Sequence, residues 1–255
     1  PFQRRAPWKQ RVMSFAGEFV GGHVGDAVIV LTEAERQRAV RARVVPTARL
    51  HVVPNGIADV PAHQQRASRG GHAPVLVMVA RFAPPKLQAE LVDTLAQLAD
   101  RPWTLRLVGD GPQLDVCRAR VAAHPGLHDR IEFLGHRDDV ADVLAASDIG
   151  VLWSRYEGLP ISVMEYMRAG LCCVASDLPG TRELFGPERA GIVAVSGDEL
   201  AAALGTLLGD PARIDELGRR ARRRYAARYS VDALVAATEA VYETVLRRRP
   251  LTTTG

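Results

Sequence analysis

The sequence predicts an α/β fold built on a doubly wound, six-stranded parallel sheet. Strand-length apolar runs recur at Val75–Val79, Leu105–Val108, Ile131–Leu134, Ile149–Trp153, Cys172–Ala175 and Gly191–Val195. Between them lie segments with helical spacing of apolar residues, at Leu87–Leu98, Gln113–Ala123, Asp139–Ala146, Pro160–Ala169, Gly180–Leu184 and Asp198–Leu208. Such alternation is the pattern of right-handed βαβ crossovers. The third observation is local. From Ile149 to Gly180 an apolar strand passes through a polar turn into a segment framed by Pro160, where a first helical residue tolerates a missing N–H, and by Gly170, where a left-handed C-cap is wanted.

Taken in order, the chain opens with a glycine-rich helical pattern from Trp8 to about His23. A buried strand follows at Ala27–Leu31, and Thr32 with Glu35 three residues on signals a capped helix to about Arg43. Leu50–Val53 reads as a short strand stopped by the turn Pro54-Asn55-Gly56, and 60–73 as a linker rich in Pro, Gln, Ser and Gly. After the six strand–helix repeats, 211–248 reads as two more helices separated near Tyr229-Ser230-Val231, with Ser230 as an N-cap.

Composition sets bounds. At 255 residues, 47% apolar and 24% charged, the chain can bury one large core or somewhat more. It has no apolar run of membrane-spanning length and nothing resembling a secretory signal near Pro1. Cys117 and the vicinal Cys172 and Cys173 have neither disulfide nor metal spacing and read as buried thiols of a reducing compartment. The net charge of +4 comes with arginine clusters near residues 4–11, 219–228 and 247–249. The middle cluster alternates with Ala on a helical pattern, which favours a solvated helix face over a nucleic-acid surface. An attraction to acidic lipid headgroups stays open.

With strand order 3-2-1-4-5-6, a ligand sits outside the carboxyl ends of the first and fourth strands, where the order reverses. That rule brings Arg81 and Lys86, after the first strand, to the same crevice as Glu157, Gly158 and the helix that starts at Pro160. A helix N-terminus with unpaired amides and a partial positive charge suits a phosphate, and two cations beside it complete a diphosphate clamp. Glu165, about 7.5 Å along that helix at ~1.5 Å per residue, suits neutral sugar hydroxyls. One ligand carrying both phosphate and hydroxyls fits the set. His136, after the third strand, borders the crevice and is placed to meet a base through backbone groups. Gly109-Asp110-Gly111-Pro112 fails as a dinucleotide fingerprint, because Leu114 stands where a third Gly belongs, and reads as a tight turn. No Asp-x-Asp stands at a strand end to hold a divalent ion, and Asp138-Asp139 reads as helix capping. No metal or other cofactor is therefore expected.

Together these residues resemble the family 4 retaining glycosyltransferases of the GT-B fold. The likeness runs through VVPNGI (52–57), ARFAPPK (80–86), LVGDGP (107–112), IEFLG (131–135), SRYEGLPISVMEYMRAG (154–170) and VASDLPGTREL (174–184), with Glu157 and Glu165 in the family's Glu, seven residues, Glu spacing. The resemblance implies two Rossmann-like domains, of which this chain holds chiefly the donor half: a remnant of the acceptor-side domain at 1–57, a linker at 58–74, the donor domain at 75–230 and a helix at 231–249 crossing back to the first part. It also implies transfer of a hexose from a UDP- or GDP-sugar with retention to a saccharide or lipid-linked acceptor, in the cytoplasm or at the inner membrane face. Arg81 and Lys86 match the basic pair on the donor diphosphate, and Glu157 the glutamate on the donor sugar. Glu165 matches the glutamate on the ribose, and Gly135, His136 and Arg137 the loop near the base. Gly158, Leu159, Pro160 and Ile161 match the amides against phosphate and sugar. Tyr166, Arg168 and Pro179 depart from the family's pattern. The alternatives are a nucleotide-sugar-binding module, an epimerase of the same architecture, and a basic surface protein binding polyanions.

Overall fold

The computed structural model of the chain describes residues 21, 24–66 and 71–248. The helix expected at Trp8–His23 and the first basic cluster fall, but for residue 21, outside the described residues. Two compact units are present, one made of residues 1–56 with 231–255, the other of residues 57–230.

The smaller unit contains a parallel pair, β1 (Val28–Val30) and β2 (Leu50–Val52), joined through helix α1 (Glu33–Ala42). The Thr32 signal is realised: its hydroxyl accepts from the Glu35 amide at 3.1 Å, and the Glu35 carboxylate accepts from the Leu31 amide at 3.0 Å rather than from Thr32 itself. Arg43 closes α1 in a left-handed conformation, φ 53°. Val44, Val45 and Leu50 form a small core against Val28, Val30 and Val40. Helix Val231–Arg248, α9 below, is grouped with this unit.

The larger unit carries a six-stranded parallel sheet. Its elements are β3 (Val75–Val79), α2 (Gln88–Ala96), β4 (Thr104–Val108), α3 (Leu114–Ala122), β5 (Ile131–Gly135), α4 (Val140–Ala145), β6 (Ile149–Leu152), α5 (Ile161–Ala169), β7 (Cys172–Ser176), α6 (Pro179–Phe185), β8 (Ile192–Ala194), α7 (Gly197–Leu208) and α8 (Pro211–Arg228). The strand order β5-β4-β3-β6-β7-β8 is the doubly wound order expected, reversing between β3 and β6. Every residue of β6 and β7 is buried, which explains their unbroken apolar runs. Cys117, Cys172 and Cys173 are free and buried.

Three boundaries differ from expectation for identifiable reasons. Pro160 is the N-cap of α5, not its first helical residue, because its ψ of 117° is extended. Asp139 stands at the N-cap of α4 but does not cap it; its carboxylate is taken by the Arg137 guanidinium, Nε at 2.7 Å. The segment expected as a linker joins the larger unit from Ile57 onward. Tyr229 O accepts from the Ile57 amide at 2.9 Å, and Arg222 grips Asp59 with two hydrogen bonds of 2.7 Å.

That segment is anchored most firmly by Arg66, whose side chain is buried between Asp148 at 2.9 Å and Asp215 at 2.7 Å. Asp148, at the amino end of β6, also accepts from the Val75 amide at 2.9 Å. Removing one partner of a buried pair leaves the other charge uncompensated. Replacement of Arg66 by Met is expected to lower unfolding stability by about 3–5 kcal/mol, read as a fall in the urea midpoint; an unchanged midpoint would mean that the other groups on Asp148, His72 at 3.1 Å and the Val75 amide, already compensate it.

Candidate functional site

At the carboxyl ends of β3 and β6 the two loops are stitched backbone to backbone. The Trp153 carbonyl accepts from the Leu87 amide at 3.0 Å, the Pro85 carbonyl accepts from the Arg155 amide at 3.0 Å, and Lys86 and Ser154 form an antiparallel bridge. This stitching brings the Lys86 ammonium onto the Glu157 carboxylate as an ion pair, with side chains 19% and 11% exposed. Two of the residues singled out in the sequence therefore meet directly.

The loop leads into α5, whose N-cap, Pro160, supplies no side-chain acceptor. The first-turn amides keep their partial positive charge uncapped. Leu159 and Pro160 are buried, while Ile161 is 44% exposed. A Cβ on Gly158 would meet nothing within 4 Å, so the empty site does not require glycine there. The requirement lies opposite: a Cβ on Gly180, at the start of α6, would fall 1.6 Å from the Gly158 carbonyl oxygen. Gly180 lets α6 press against the loop that carries Glu157.

Glu165 lies in the second turn of α5 and is largely buried. Burial raises its carboxyl pKa above the ordinary 4.5, and the nearby Arg168 guanidinium, at 3.9 Å, opposes that only in part. A half-desolvated carboxylate with one distant cation keeps acceptor capacity for hydroxyl donors.

On the other side of the reversal point an open cleft of about 720 Å³ is lined by residues ending three neighbouring strands. Arg81 comes from the β3 loop, Gly109, Asp110 and Gly111 from the β4 loop, and His136, Arg137 and Val140 from the β5 loop. Arg81 is exposed, and among the described residues no carboxylate pairs with it. His136 is 81% exposed with Asp138 at 3.6 Å, whereas Arg137 is held by Asp139. Gly135 ends β5 at φ 66° and its carbonyl accepts from the Gly109 amide at 2.7 Å.

The structure thus gathers the expected residues into two adjoining groups. Lys86 and Glu157, in contact just before Gly158 and the head of α5, form one, while Arg81, His136 and Arg137 line the cleft; Glu165 sits farther along α5 beside Arg168. The Gly109-Asp110-Gly111 turn was missed as a site element. A Cβ on Gly109 would lie 2.3 Å from the Ala80 oxygen, and one on Gly111 2.5 Å from the Phe82 oxygen. Both have positive φ, 131° and 148°. The two glycines let the β4 loop run against the loop carrying Arg81, and their spacing was the available signal. Among the described residues no three His, Cys, Asp or Glu side chains converge as a metal-ligand set would.

A doubly wound sheet with basic and acidic loops at its reversal point has them where open α/β sheets hold their ligands. The family model for glycosyl transferases group 1 matches residues 73–210, and the chain belongs to that family. An exopolysaccharide phosphotransferase of Streptomyces coelicolor is 30% identical over 230 residues, 88% of this chain and 24% of that protein. The MMP alpha-(1->4)-mannosyltransferase of Mycolicibacterium hassiacum is 31% identical over 214 residues, 80% of this chain and 50% of that protein. The chain therefore spans half or less of either relative. The crystal structure of Anabaena HepE in complex with UDP and glucose superposes with a TM-score of 0.73 at 23% identity, covering 91% of this chain and 66% of that one. This likeness places the chain in the GT-B fold.

Glu165 supplies a test of the burial argument. Its folded pKa is raised, so the native state holds the proton more tightly than the unfolded state, and stability falls as pH rises from 4.5 through the folded pKa. Glu165→Gln is therefore expected to raise the urea midpoint relative to the parent at pH 7 and to lose that advantage below pH 4.5. A variant less stable at pH 7 would mean that the pairing with Arg168 outweighs desolvation.

Proposed function

We propose that this chain is the donor-binding half of a retaining hexosyltransferase that uses a UDP- or GDP-sugar without a metal ion. The observation that carries the reading is the stitched pair of loops at the sheet reversal, which sets Lys86, Glu157 and the uncapped head of α5 side by side. A donor diphosphate would lie over the α5 amides with Lys86 and Arg81 as counter-charges. The base would extend along the cleft toward Gly135, His136 and Arg137, and Glu165 would accept from the ribose hydroxyls. Family membership and the UDP complex of HepE support the choice of ligand class.

Lys86 is engaged by Glu157, so binding of a diphosphate would involve an exchange of partners. The diphosphate takes the ammonium, and Glu157 is freed to accept from sugar hydroxyls. In transfer, the bond from the sugar's anomeric carbon to the diphosphate oxygen breaks as the acceptor oxygen bonds that carbon on the same face. The acceptor proton passes to the departing diphosphate. Preorganised cations and amides stabilise that developing charge better than water does. The acceptor, a saccharide or lipid-linked glycan, would meet residues beyond those described. For peripheral membrane association the described groups on α8 are Arg219, Arg223 and Arg228. Arg213, Arg220, Arg222 and Arg224 of that helix are spent in ion pairs with Glu216, Asp59 and Glu188.

Calorimetric titration with UDP and with GDP, in EDTA, tests the reading. One nucleotide is expected to saturate, with Lys86→Ala and Glu165→Ala each weakening it about tenfold, on the order of the 1.4 kcal/mol a charged hydrogen bond contributes. Binding of neither, or binding indifferent to both substitutions, would remove the donor site. The partner exchange makes a separate demand. Glu157→Gln is expected to bind the free nucleoside diphosphate several-fold more tightly than the parent, because Lys86 is no longer competed for. Equal or weaker binding would show that the Lys86–Glu157 pair is not in the way of the diphosphate.

A further inference from the structure

Strands β3 and β6 are paired at Leu76↔Ile149 and Val77↔Gly150 and then stop pairing, although β3 continues to Val79 and β6 to Leu152. Continued in that register, the Val79 amide would donate to the Val151 carbonyl. The phenol of Tyr166 stands between those two groups instead. Its oxygen accepts from the Val79 amide at 2.7 Å and donates to the Val151 carbonyl at 3.4 Å. The ring is fully buried and fits because residue 150 has no side chain: a Cβ there would lie 2.4 Å from the Tyr166 ring. Two residues past Val79 stands Arg81, on backbone held by side chains from another direction. Gln88, 3% exposed, donates its amide to the Arg81 carbonyl at 3.0 Å and to that of Ala80 at 3.4 Å. Meanwhile the Ala80 amide still donates to Val108 of β4, so β3 leaves β6 while staying with β4.

We propose that Tyr166, with Gln88 on the far side, is a positioning residue that wedges the carboxyl ends of β3 and β6 apart and thereby sets the backbone that carries Arg81. The inference rests on the donor-site reading and deepens it, since the opening it maintains is the crevice into which a nucleoside diphosphate would fit. A buried hydroxyl in a sheet could equally be mere filling. It is distinguished by where it sits: it replaces the ladder hydrogen bond at the strand reversal, two residues from Arg81, with which no carboxylate pairs among the described residues. Without the hydroxyl, the Val79 amide loses its acceptor, and the backbone that leads to Arg81 loses one of its holds.

The test is titration of the 255-residue chain with UDP and GDP for the parent, Tyr166→Phe, Arg81→Ala and the double variant. Tyr166→Phe is expected to weaken the nucleotide that binds by about five- to tenfold while folded, and the double variant to bind no worse than Arg81→Ala within twofold. A purely structural role would lower the melting midpoint and leave the folded protein's affinity unchanged. Affinity of Tyr166→Phe within twofold of the parent, or losses that multiply in the double variant, would overturn the proposal. Should Tyr166→Phe fail to fold, Gln88→Met takes its place in the same cycle with the same expectation and the same refutation. If the parent binds neither nucleotide, the donor reading has failed and the Val79 amide decides. Its hydrogen exchange, relative to that of Leu76, is expected to speed at least tenfold in Tyr166→Phe, or in Tyr166→Met if the former does not fold, because the amide loses its phenol acceptor in both; an unchanged ratio overturns the wedge.

Discussion

The site depends on a place where the sheet stops pairing with itself. At the reversal between β3 and β6 both chains run parallel, with crossovers leaving in opposite directions, so the backbone groups at the strand ends lose their natural partners. A buried amide or carbonyl cannot remain unpaired without cost. In this chain side chains take over. Tyr166 serves Val79 and Val151, Ser176 accepts from the Ser154 amide at 2.8 Å, and Gln88 serves Ala80 and Arg81. The crevice exists because hydrogen bonds that would have closed it are made elsewhere.

The same constraint explains where glycine is indispensable. Three loops must approach one another at backbone distance to hold charged side chains over a small area, and side chains at Gly109, Gly111 or Gly180 would separate them. Gly158 faces open space, so any need for glycine there comes from a bound anion approaching the loop rather than from the empty fold. Glycine in one motif thus answers two different demands. The Gly180 position serves packing, and its strain-free approach to the Gly158 carbonyl fixes the height of the loop that carries Glu157.

Much of this was legible in the sequence. The six strands, their order and the residues at the reversal point follow from apolar runs and punctuation, because parallel strands buried on both faces are continuous and the crossovers between them are helical. The convergence of Lys86 with Glu157 follows from the same topology. What stayed hidden depends on contacts distant in sequence. Arg66 lies in a stretch whose composition reads as linker, and only the two aspartates it meets, one at the start of β6 and one in α8, show that it is buried. The glycine turn after β4 was dismissed because it fails as a dinucleotide fingerprint, yet its role is to pass close beneath the Arg81 loop. In the sequence Tyr166 shows only as a departure from the family's pattern. Its fit needs the absent side chain of Gly150, a complementarity that no local pattern displays. Asp139, placed correctly as the residue before α4, was given a capping role that the nearer Arg137 takes from it.

The two glutamates show how environment separates chemically identical groups. Glu157 in the empty site has a cation in contact, whereas Glu165 has one at 3.9 Å and a burial penalty that raises its pKa. Glu157 has an ammonium in direct contact, whereas Glu165 has only the more distant guanidinium of Arg168. A ligand bringing hydroxyl donors relieves Glu165, and one bringing negative charge disturbs the pair at Glu157. On the proposed reading a nucleoside diphosphate sugar would do both, its sugar offering Glu157 new donors in place of the ammonium. Inorganic diphosphate would disturb the pair without relieving Glu165, and a free sugar would meet neither the amides of α5 nor Lys86 with a charge. The proposed composite ligand would thus be favoured over its parts, because it alone would leave both carboxylates, the ammonium and the helix amides satisfied at once.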